Sequence, residues 1–186
     1  MIIKEGQLLG VFVLKPEMYS DPRGYFIETY RESVINDRIA SIRFIQENES
    51  LSNKNVLRGL HFQEAPHEQS KLVRVVRGKI QDVVVDIRPD SATFGRYMSI
   101  VLSGENKKQL FIPKGFAHGF VALEDNTVVV YKVDAYYAPG YERCIRWNDR
   151  DLNITWQTEG TPVVSEKDNH GETFKNIRSK LKEEAV

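Results

Sequence analysis

The sequence predicts an all-β protein, a jelly-roll barrel or sandwich with a few short helices. Short segments rich in Val, Ile, Phe and Tyr recur along the 186 residues, and Gly, Pro, Asp and Asn separate them. The β-branched runs 83–85 and 128–130 are typical of strands that are buried on both faces. Many short strands with turns between them favour a jelly roll over other all-β folds.

The predicted strands follow one another at short spacing. Gly78 and Lys79 suit a type II′ turn, so the segments on either side of them are expected to form a hairpin. Only residues 32–40 and the charged tail after Gly171 have helical patterns, and we expect that tail to be peripheral, as a solvated helix or frayed end. The predicted strands are 7–13, 26–30, 44–50, 71–77, 80–88, 97–102, 109–112, 119–123 and 128–134.

Length and composition predict one domain, residues 1–186, in a cytoplasmic protein. Lys plus Arg and Asp plus Glu both number 26, which argues against a general nucleic-acid or membrane-surface binder. Cys144 is the only cysteine, so an intrachain disulfide and a thiolate metal cluster are both excluded. The amino terminus lacks the apolar core of a signal peptide, and no apolar run approaches membrane-spanning length.

A second motif narrows the fold to the cupin type. Residues 113–118 have the spacing P-x-G-x-x-H, in which proline and glycine turn the chain and His118 then points into the barrel. Metal-binding cupins commonly use an HxH pair, but Gln63 stands here where the second histidine would be. His61 and His118 could be two ligands, yet a third is not evident, and catalytic metals usually have three protein ligands. We therefore do not expect a metal site.

The segment from Leu57 to Gln63 is the strongest candidate for a reactive site. It places His61, a possible base near neutral pH, close to Arg58, whose planar guanidinium suits a phosphate. In a regular strand, alternate side chains share a face, so Arg58 would point away from His61. Both can serve one site only if Arg58 lies at the strand mouth or Gly59 forms a β-bulge.

An ordered set of motifs resembles the dTDP-4-dehydrorhamnose 3,5-epimerase family. Residues 21–28 have the pattern D-x-R-G-x-F-x-E of that family, and the similarity extends from about Gly10 to Asp168. The other matching segments, in the family's order, are 46–48, 57–63, 71–78, 113–120, 131–132 and 165–168.

The resemblance implies proton chemistry on dTDP-4-keto-6-deoxy-D-glucose without a cofactor. The C4 ketone acidifies the hydrogens at C3 and C5, so a base removes one and an acid returns a proton to the opposite face. His61 matches the base and Asp168 the carboxylate that orients it. Lys71 matches a cation that stabilises the enolate oxygen, and Tyr131 matches the acid. A 3-epimerase of another deoxysugar pathway, a metal cupin and a non-catalytic sugar-binding cupin are the alternatives.

The resemblance also implies a homodimer whose segment 23–28 crosses to the partner. Cys144 stands where a small residue is common in the family, and Gln157 follows Trp156 where proline is common; neither is expected to touch the chemical groups. The implied substrate-binding residues are Arg23 and Arg58 for the diphosphate, Phe26 and Glu28 for the nucleoside, Tyr137 for stacking, Gln46, Glu47 and Asn48 for hydrogen bonding, His118 on the pocket wall, and Glu142 and Lys167 at the rim.

Overall fold

The computed structural model describes residues 1–184, and the last two residues of the predicted domain lie outside that range. The helices are α1 (Glu32–Arg38), α2 (Glu166–Asn169) and α3 (Phe174–Glu184), with a single 3-10 turn at Pro139–Tyr141. The strands are β1 (Ile2–Glu5), β2 (Phe12–Lys15), β3 (Met18–Asp21), β4 (Gly24–Ile27), β5 (Gln46–Ser52), β6 (Leu57–Gln63), β7 (Lys71–Arg77), β8 (Lys79–Asp86), β9 (Tyr97–Ser103), β10 (Gln109–Ile112), β11 (Phe116–Ala122), β12 (Thr127–Val133) and β13 (Glu142–Cys144).

Two antiparallel sheets pack face to face, which confirms the predicted all-β class. The larger sheet has six strands in the order β1-β2-β10-β7-β12-β5. The smaller has five in the order β13-β6-β11-β8-β9, and β3 pairs with β4 as a separate two-stranded arm. Within residues 1–184 no helix is long and apolar enough to cross a membrane.

Successive side chains of β8 point to opposite faces of the smaller sheet, and those on the inner face pack against the larger sheet. Val84 points inward to the cluster between the sheets, where it meets residues of the larger sheet such as Val73 and Val129. Val83 and Val85 point outward into a second cluster beneath α3. All three valines of β8 are fully buried, as the β-branched run predicts for a strand covered on both faces.

The carboxyl-terminal tail is more than a solvated helix. Helix α3 forms as its pattern predicts, but Phe174 and Ile177 are buried in the cluster on the outer face of the smaller sheet. The expectation of a peripheral tail is therefore wrong for the first turns of α3. The charged composition hid two apolar side chains spaced three apart, which lie on one face of a helix.

The predicted hairpin at Gly78 is wrong, because β7 and β8 belong to different sheets. Strand β7 pairs with β10 and β12, whereas β8 pairs with β9 and β11. Gly78 has φ of +79°, and a Cβ atom there would lie 2.3 Å from Thr127 Oγ1. The glycine turns the chain from one sheet to the other, and a local turn signal does not reveal which strand becomes the hydrogen-bonding partner.

Two strands predicted near the amino terminus, at 7–13 and 26–30, have other bounds in the structure. The segment 7–13 is mostly a turn between β1 and β2, closed by a 2.7 Å hydrogen bond from the Gly6 amide to the Val11 carbonyl. Its apolar pattern arises because Leu8 and Val11 are buried in the core from that turn. The strand expected at 26–30 is β4, which ends at Ile27 and pairs only with β3.

Candidate active site

Residues of both sheets line two adjoining cavities of about 240 and 280 Å³. His61, Lys71, Tyr131 and Glu142 line both of them. His61 comes from the smaller sheet, while Lys71 and Tyr131 come from neighbouring strands of the larger one. The predicted base therefore lies on the opposite wall from the predicted acid and the predicted enolate-stabilising cation.

A bulge in β6 brings Arg58 and His61 to the same cavity. His61 is opposite His118 and Arg58 is opposite Phe120, so Gly59 and Leu60 together face the single residue Gly119. The extra residue reverses the alternation, and Arg58 and His61 both line the larger cavity. The bulge at Gly59, one of the two arrangements the sequence allowed, is confirmed.

Gly59 is the residue that permits this bulge. Its φ is +116°, a conformation that side chains rarely adopt, and a Cβ atom would lie 2.5 Å from Gly119 Cα. Beyond the bulge, Arg58 donates from Nε to Ser52 Oγ at 3.0 Å and from Nη2 to the Leu51 carbonyl at 3.1 Å. These contacts with β5 hold the guanidinium at the cavity wall.

His61 and Asp168 form a hydrogen-bonded pair. The imidazole Nε2 lies 2.6 Å from Asp168 Oδ1, and the Gly59 amide donates to Oδ2 of the same carboxylate at 3.1 Å. Asp168 belongs to α2 and is only 3% exposed; the Ser165 hydroxyl accepts its backbone N–H. Burial tends to raise the pKa of Asp168, but the hydrogen bonds and the charge of His61 outweigh it and lower the pKa below its ordinary value.

Lys71 is a half-buried cation that lines both cavities. It begins β7, on the same face as the core residues Val73 and Val75. Burial lowers the pKa of Lys71 to about 8, although the negative charges of Asp82 and Glu142 oppose that change. The ammonium can therefore stabilise a negative oxygen at neutral pH.

His118 has a buried partner that the sequence reasoning missed. Its Nε2 lies 2.9 Å from Asp82 Oδ2 and 3.0 Å from Oδ1, and Asp82 is fully buried. The available signal was the carboxylate itself, since Asp82 stands directly before the valine run of β8. His118 points inward from β11, as the P-x-G-x-x-H motif predicts, and it lines the larger cavity.

The rim of the site is built around Glu142. Its Oε2 accepts the Tyr137 hydroxyl at 2.6 Å and also forms an ion pair with Lys167. Burial would raise the pKa of Glu142, but these two contacts lower it overall. Gln63 fixes the adjacent loop, because its Oε1 accepts the Ala138 amide at 2.7 Å. In this chain the residue at the metal-ligand position of a cupin thus anchors a loop.

Four of the predicted substrate-binding residues lie away from the two adjoining cavities. Arg23, Phe26 and Glu28 are on or next to the exposed β3–β4 arm, where Arg23 pairs with Asp21 and Glu28 with Arg31. Glu47 lies on the outer face of the larger sheet and pairs with Lys132. Alternation in β5 turns it away from Gln46 and Asn48, which both line the smaller cavity.

Cys144 does touch the proposed chemical groups, contrary to the expectation from sequence. It is opposite His61 in the β13–β6 pair, and its Sγ lies 3.9 Å from Asp168 Oδ1. This contact could not be predicted from the sequence, because β13 is only three residues long and carries no clear strand pattern. Gln157, by contrast, lies outside the site, where its amide donates to Gln81 at 2.7 Å.

Among residues 1–184, His61, Cys144 and Asp168 form a group whose donor atoms lie close enough together to approach one metal ion. The chemistry of these donors does not suit an ion. Burial and the Asp168 charge raise the pKa of the Cys144 thiol to about 12, so it remains protonated. His61 Nε2 and Asp168 Oδ1 already share a 2.6 Å hydrogen bond, whereas zinc ligands each bind at about 2 Å with the ion between them.

Comparison with known proteins places this site in a family. The profile of dTDP-4-dehydrorhamnose 3,5-epimerase matches residues 5–176. The dTDP-4-dehydrorhamnose 3,5-epimerase of Methanothermobacter thermautotrophicus is 49% identical over 162 residues, which cover 86% of each chain.

Solved structures agree with the sequence comparison. The dTDP-6-deoxy-D-glucose-3,5-epimerase of Legionella pneumophila, in complex with dTDP-4-keto-L-rhamnose, has a TM-score of 0.93 and 40% identity, covering 97% of this chain and 96% of its own. A 3'-monoepimerase of Streptomyces bikiniensis, in complex with dTDP-quinovose, has a TM-score of 0.88 and 32% identity, covering 94% of this chain and 89% of its own. The protein described here belongs to the dTDP-4-dehydrorhamnose 3,5-epimerase family.

Proposed function

We propose that the chain converts dTDP-4-dehydro-6-deoxy-D-glucose into dTDP-4-dehydro-L-rhamnose by inverting C3 and C5 without a cofactor. One observation carries the proposal: a histidine held by a buried carboxylate faces a tyrosine across a cavity that a half-buried lysine also lines. A base and an acid on opposite walls are what inversion requires, because the proton leaves one face of the sugar ring and returns to the other.

Each inversion is one proton removal followed by one proton return. His61 takes the proton from the carbon next to the C4 ketone, and the electron pair of that C–H bond forms the enolate. The Lys71 ammonium stabilises the negative oxygen, while Asp168 stabilises the imidazolium that has formed. The Tyr131 hydroxyl then gives its proton to the opposite face, and the carbonyl returns. Exchange with solvent restores His61 and Tyr131, and the second carbon follows the same course.

The cations of the larger cavity are suited to the diphosphate. Arg58 is held with its guanidinium at the wall, and Lys167 lies at the rim. Charge-assisted hydrogen bonds from such groups to phosphate oxygens are stronger than neutral ones. We assign Arg58 and Lys167 to the diphosphate, and Gln46, Tyr137, Glu142 and His118 to the walls that enclose the rest of the nucleotide sugar.

We further propose a homodimer in which the β3–β4 arm completes the partner's site. Arg23 has a side chain that is 90% exposed, and Phe26 is 69% exposed, although the resemblance gives both a role with the nucleotide. Apolar side chains on an arm outside the core suit contact with another chain. A single domain in a reducing, cytoplasmic compartment completes the proposal, and the buried free thiol of Cys144 suits that compartment.

Inversion at C3 alone is not favoured. Relatives that are 43% to 49% identical to this chain are 3,5-epimerases, whereas the 3'-monoepimerase of Streptomyces bikiniensis is 32% identical. Greater similarity to the 3,5-epimerases supports inversion at both carbons.

Turnover by exhaustively chelated protein separates this function from the two other classes. The chelated wild type should produce the 4-keto-L-sugar, and His61→Ala should bind dTDP with unchanged affinity while product formation falls by about 100-fold or more. Activity that is lost on chelation and restored by a metal would instead indicate a metal cupin. Binding of dTDP without turnover by the wild type would indicate a binding module.

A further inference from the structure

A series of hydrogen bonds leads from the backbone of Tyr137 to Asn48 on β5, the strand that pairs with the Tyr131 strand β12. The Tyr137 amide donates to Gln46 Oε1 at 3.3 Å, and Gln46 Nε2 donates to Asn48 Oδ1 at 2.9 Å. Asn48 is directly opposite Tyr131 in the β5–β12 pair, and both side chains line the smaller cavity. The series therefore ends beside the hydroxyl that serves as the acid.

The backbone N–H of Tyr137 determines which group donates and which accepts at each hydrogen bond of the series. A backbone N–H can only donate, so the Gln46 side chain must present its carbonyl oxygen to Tyr137 and its NH₂ group to Asn48. Because Asn48 Oδ1 is directed at Gln46, the NH₂ group lies at the other end of the planar amide and is the part of Asn48 that can donate to Tyr131.

The same direction is visible in the electrostatics of Tyr131. Burial raises the pKa of Tyr131 above its ordinary value, while the hydrogen bond with Asn48 and the charge of Arg58 act to lower it. A hydrogen bond lowers the pKa of a phenol when the partner donates to its oxygen, because that stabilises the phenolate. A donor from Asn48 to the oxygen of Tyr131 would leave the proton of the hydroxyl free to point into the cavity.

We propose that Asn48, held by Gln46, is a positioning residue that directs the proton of Tyr131 toward the substrate. The inference rests on the proposed function, in which Tyr131 is the acid. It gives the two amides a task beyond binding the nucleotide sugar: they determine which way the hydroxyl can donate. Without them the Tyr131 proton could be shared with a neighbouring acceptor when the enolate needs it.

Asn48→Asp tests this directly, since a carboxylate of nearly the same shape can only accept. It would draw the Tyr131 proton toward itself. The probe is dTDP-4-dehydro-6-deoxy-D-glucose at saturating concentration in deuterated water. The rate of inverted product is compared with the rate of deuterium uptake into recovered substrate, which needs His61 but not Tyr131. We expect the ratio of inversion to exchange to fall about tenfold or more, in the same direction as in Tyr131→Phe.

Two further variants complete the experiment. Gln46→Glu cannot donate to Asn48, so it should lower the same ratio and keeps the test available if Asn48→Asp does not fold. The double variant Asn48→Asp with Tyr131→Phe should exchange deuterium within about twofold of the rate of Tyr131→Phe alone. Asn48 acts through the Tyr131 hydroxyl, which is already removed in both proteins. Glu49→Gln, an exposed neighbour on β5, is the matched control and should keep the wild-type ratio.

The inference is overturned if Asn48→Asp and Gln46→Glu reduce inversion and exchange in equal proportion, because the amides would then only bind substrate. It is equally overturned if Asn48→Asp slows exchange strongly in the Tyr131→Phe background. A wild type that inverts and exchanges normally leaves the proposed function intact in both cases. A wild type that does neither overturns the proposed function and this inference together.

Discussion

His61 and Asp168 are 107 residues apart in sequence, yet His61 Nε2 lies 2.6 Å from Asp168 Oδ1. The carboxylate is buried at 3% exposure, and its other oxygen accepts the Gly59 amide at 3.1 Å. The pair thus depends on the bulge in β6 as well as on α2. One backbone feature both orients the base and turns Arg58 to the same cavity.

Asp168→Asn should abolish most of the activity while leaving the fold intact. An amide can keep the shape of the side chain but cannot stabilise the imidazolium that forms during proton removal. We expect kcat to fall by about 100-fold to 10,000-fold, the range that acid–base groups supply. Steady-state kinetics would measure this, with dTDP affinity as the control for folding. Activity within a few-fold of wild type would show that His61 needs no carboxylate.

The pH profile of kcat/KM should have an alkaline limb near pH 8, where Lys71 loses its proton. Burial lowers its pKa from 10.5 to about 8, and the protonated ammonium is the form that stabilises the enolate. In the free enzyme kcat/KM should therefore fall about tenfold per pH unit above that value. Lys71→Met should lose about 100-fold or more in rate and show no limb there.

The same shift makes a separate prediction for stability. The folded state releases the Lys71 proton at about pH 8, but the unfolded chain keeps it until about 10.5. The unfolded state binds more protons between these values, so the Lys71 contribution to stability rises with pH in that window. Urea unfolding at several pH values should show a steeper rise for the wild type than for Lys71→Met. Equal slopes would contradict the lowered pKa.

Gly59→Ala should destabilise the protein, whereas the same change at Gly140 should not. The added Cβ would lie 2.5 Å from Gly119 Cα and 2.7 Å from the His118 carbonyl, at a φ of +116°. We expect a loss of about 2 kcal/mol or more in the free energy of unfolding. Gly140→Ala, where nothing lies within 4 Å, is the control and should change it by about 0.5 kcal/mol or less. Equal effects of the two variants would show that the bulge tolerates a side chain.

Mixing two inactive variants tests the exchange of arms between subunits. Arg23→Ala removes a group from the arm and His61→Ala removes the base, so each homodimer alone should be impaired. A heterodimer has one site with both groups if the arm crosses to the partner. Co-expression should then restore about a quarter of wild-type activity at equal subunit ratios. If activity stays at the mean of the two variants, the arm serves its own subunit.

The sequence predicted the fold class and many of the groups that line the cavities, but it did not predict how the strands pair. The positions of β7, β10 and β12 follow closely from composition and turns. The partner strands of β7 and β8 do not, because Gly78 encodes a turn without specifying whether the two strands share a sheet. Strand pairing depends on contacts between segments that are distant in the chain, and such contacts cannot be identified from the local pattern of a single sequence.

The same limit applies within the site. Arg58 and His61 could be joined only through a bulge or the strand mouth, and the structure shows the bulge. Asp82 was not predicted and Cys144 was expected to lie apart from the chemical groups, because their contacts are with His118 on the neighbouring strand and with Asp168 on α2. Sequence motifs identify reactive residue types well, whereas the buried groups that support them become visible only when the strands are assembled.

Proton NMR of dTDP-4-dehydro-6-deoxy-D-glucose in deuterated water, with chelated enzyme, tests the proposed inversion most directly. Both carbons next to the ketone should exchange, because one base and one acid on opposite walls act on each in turn. The predicted result is deuterium at C3 and C5 in a product of L configuration. Deuterium at C3 alone, or no exchange with protein that binds dTDP, would contradict it.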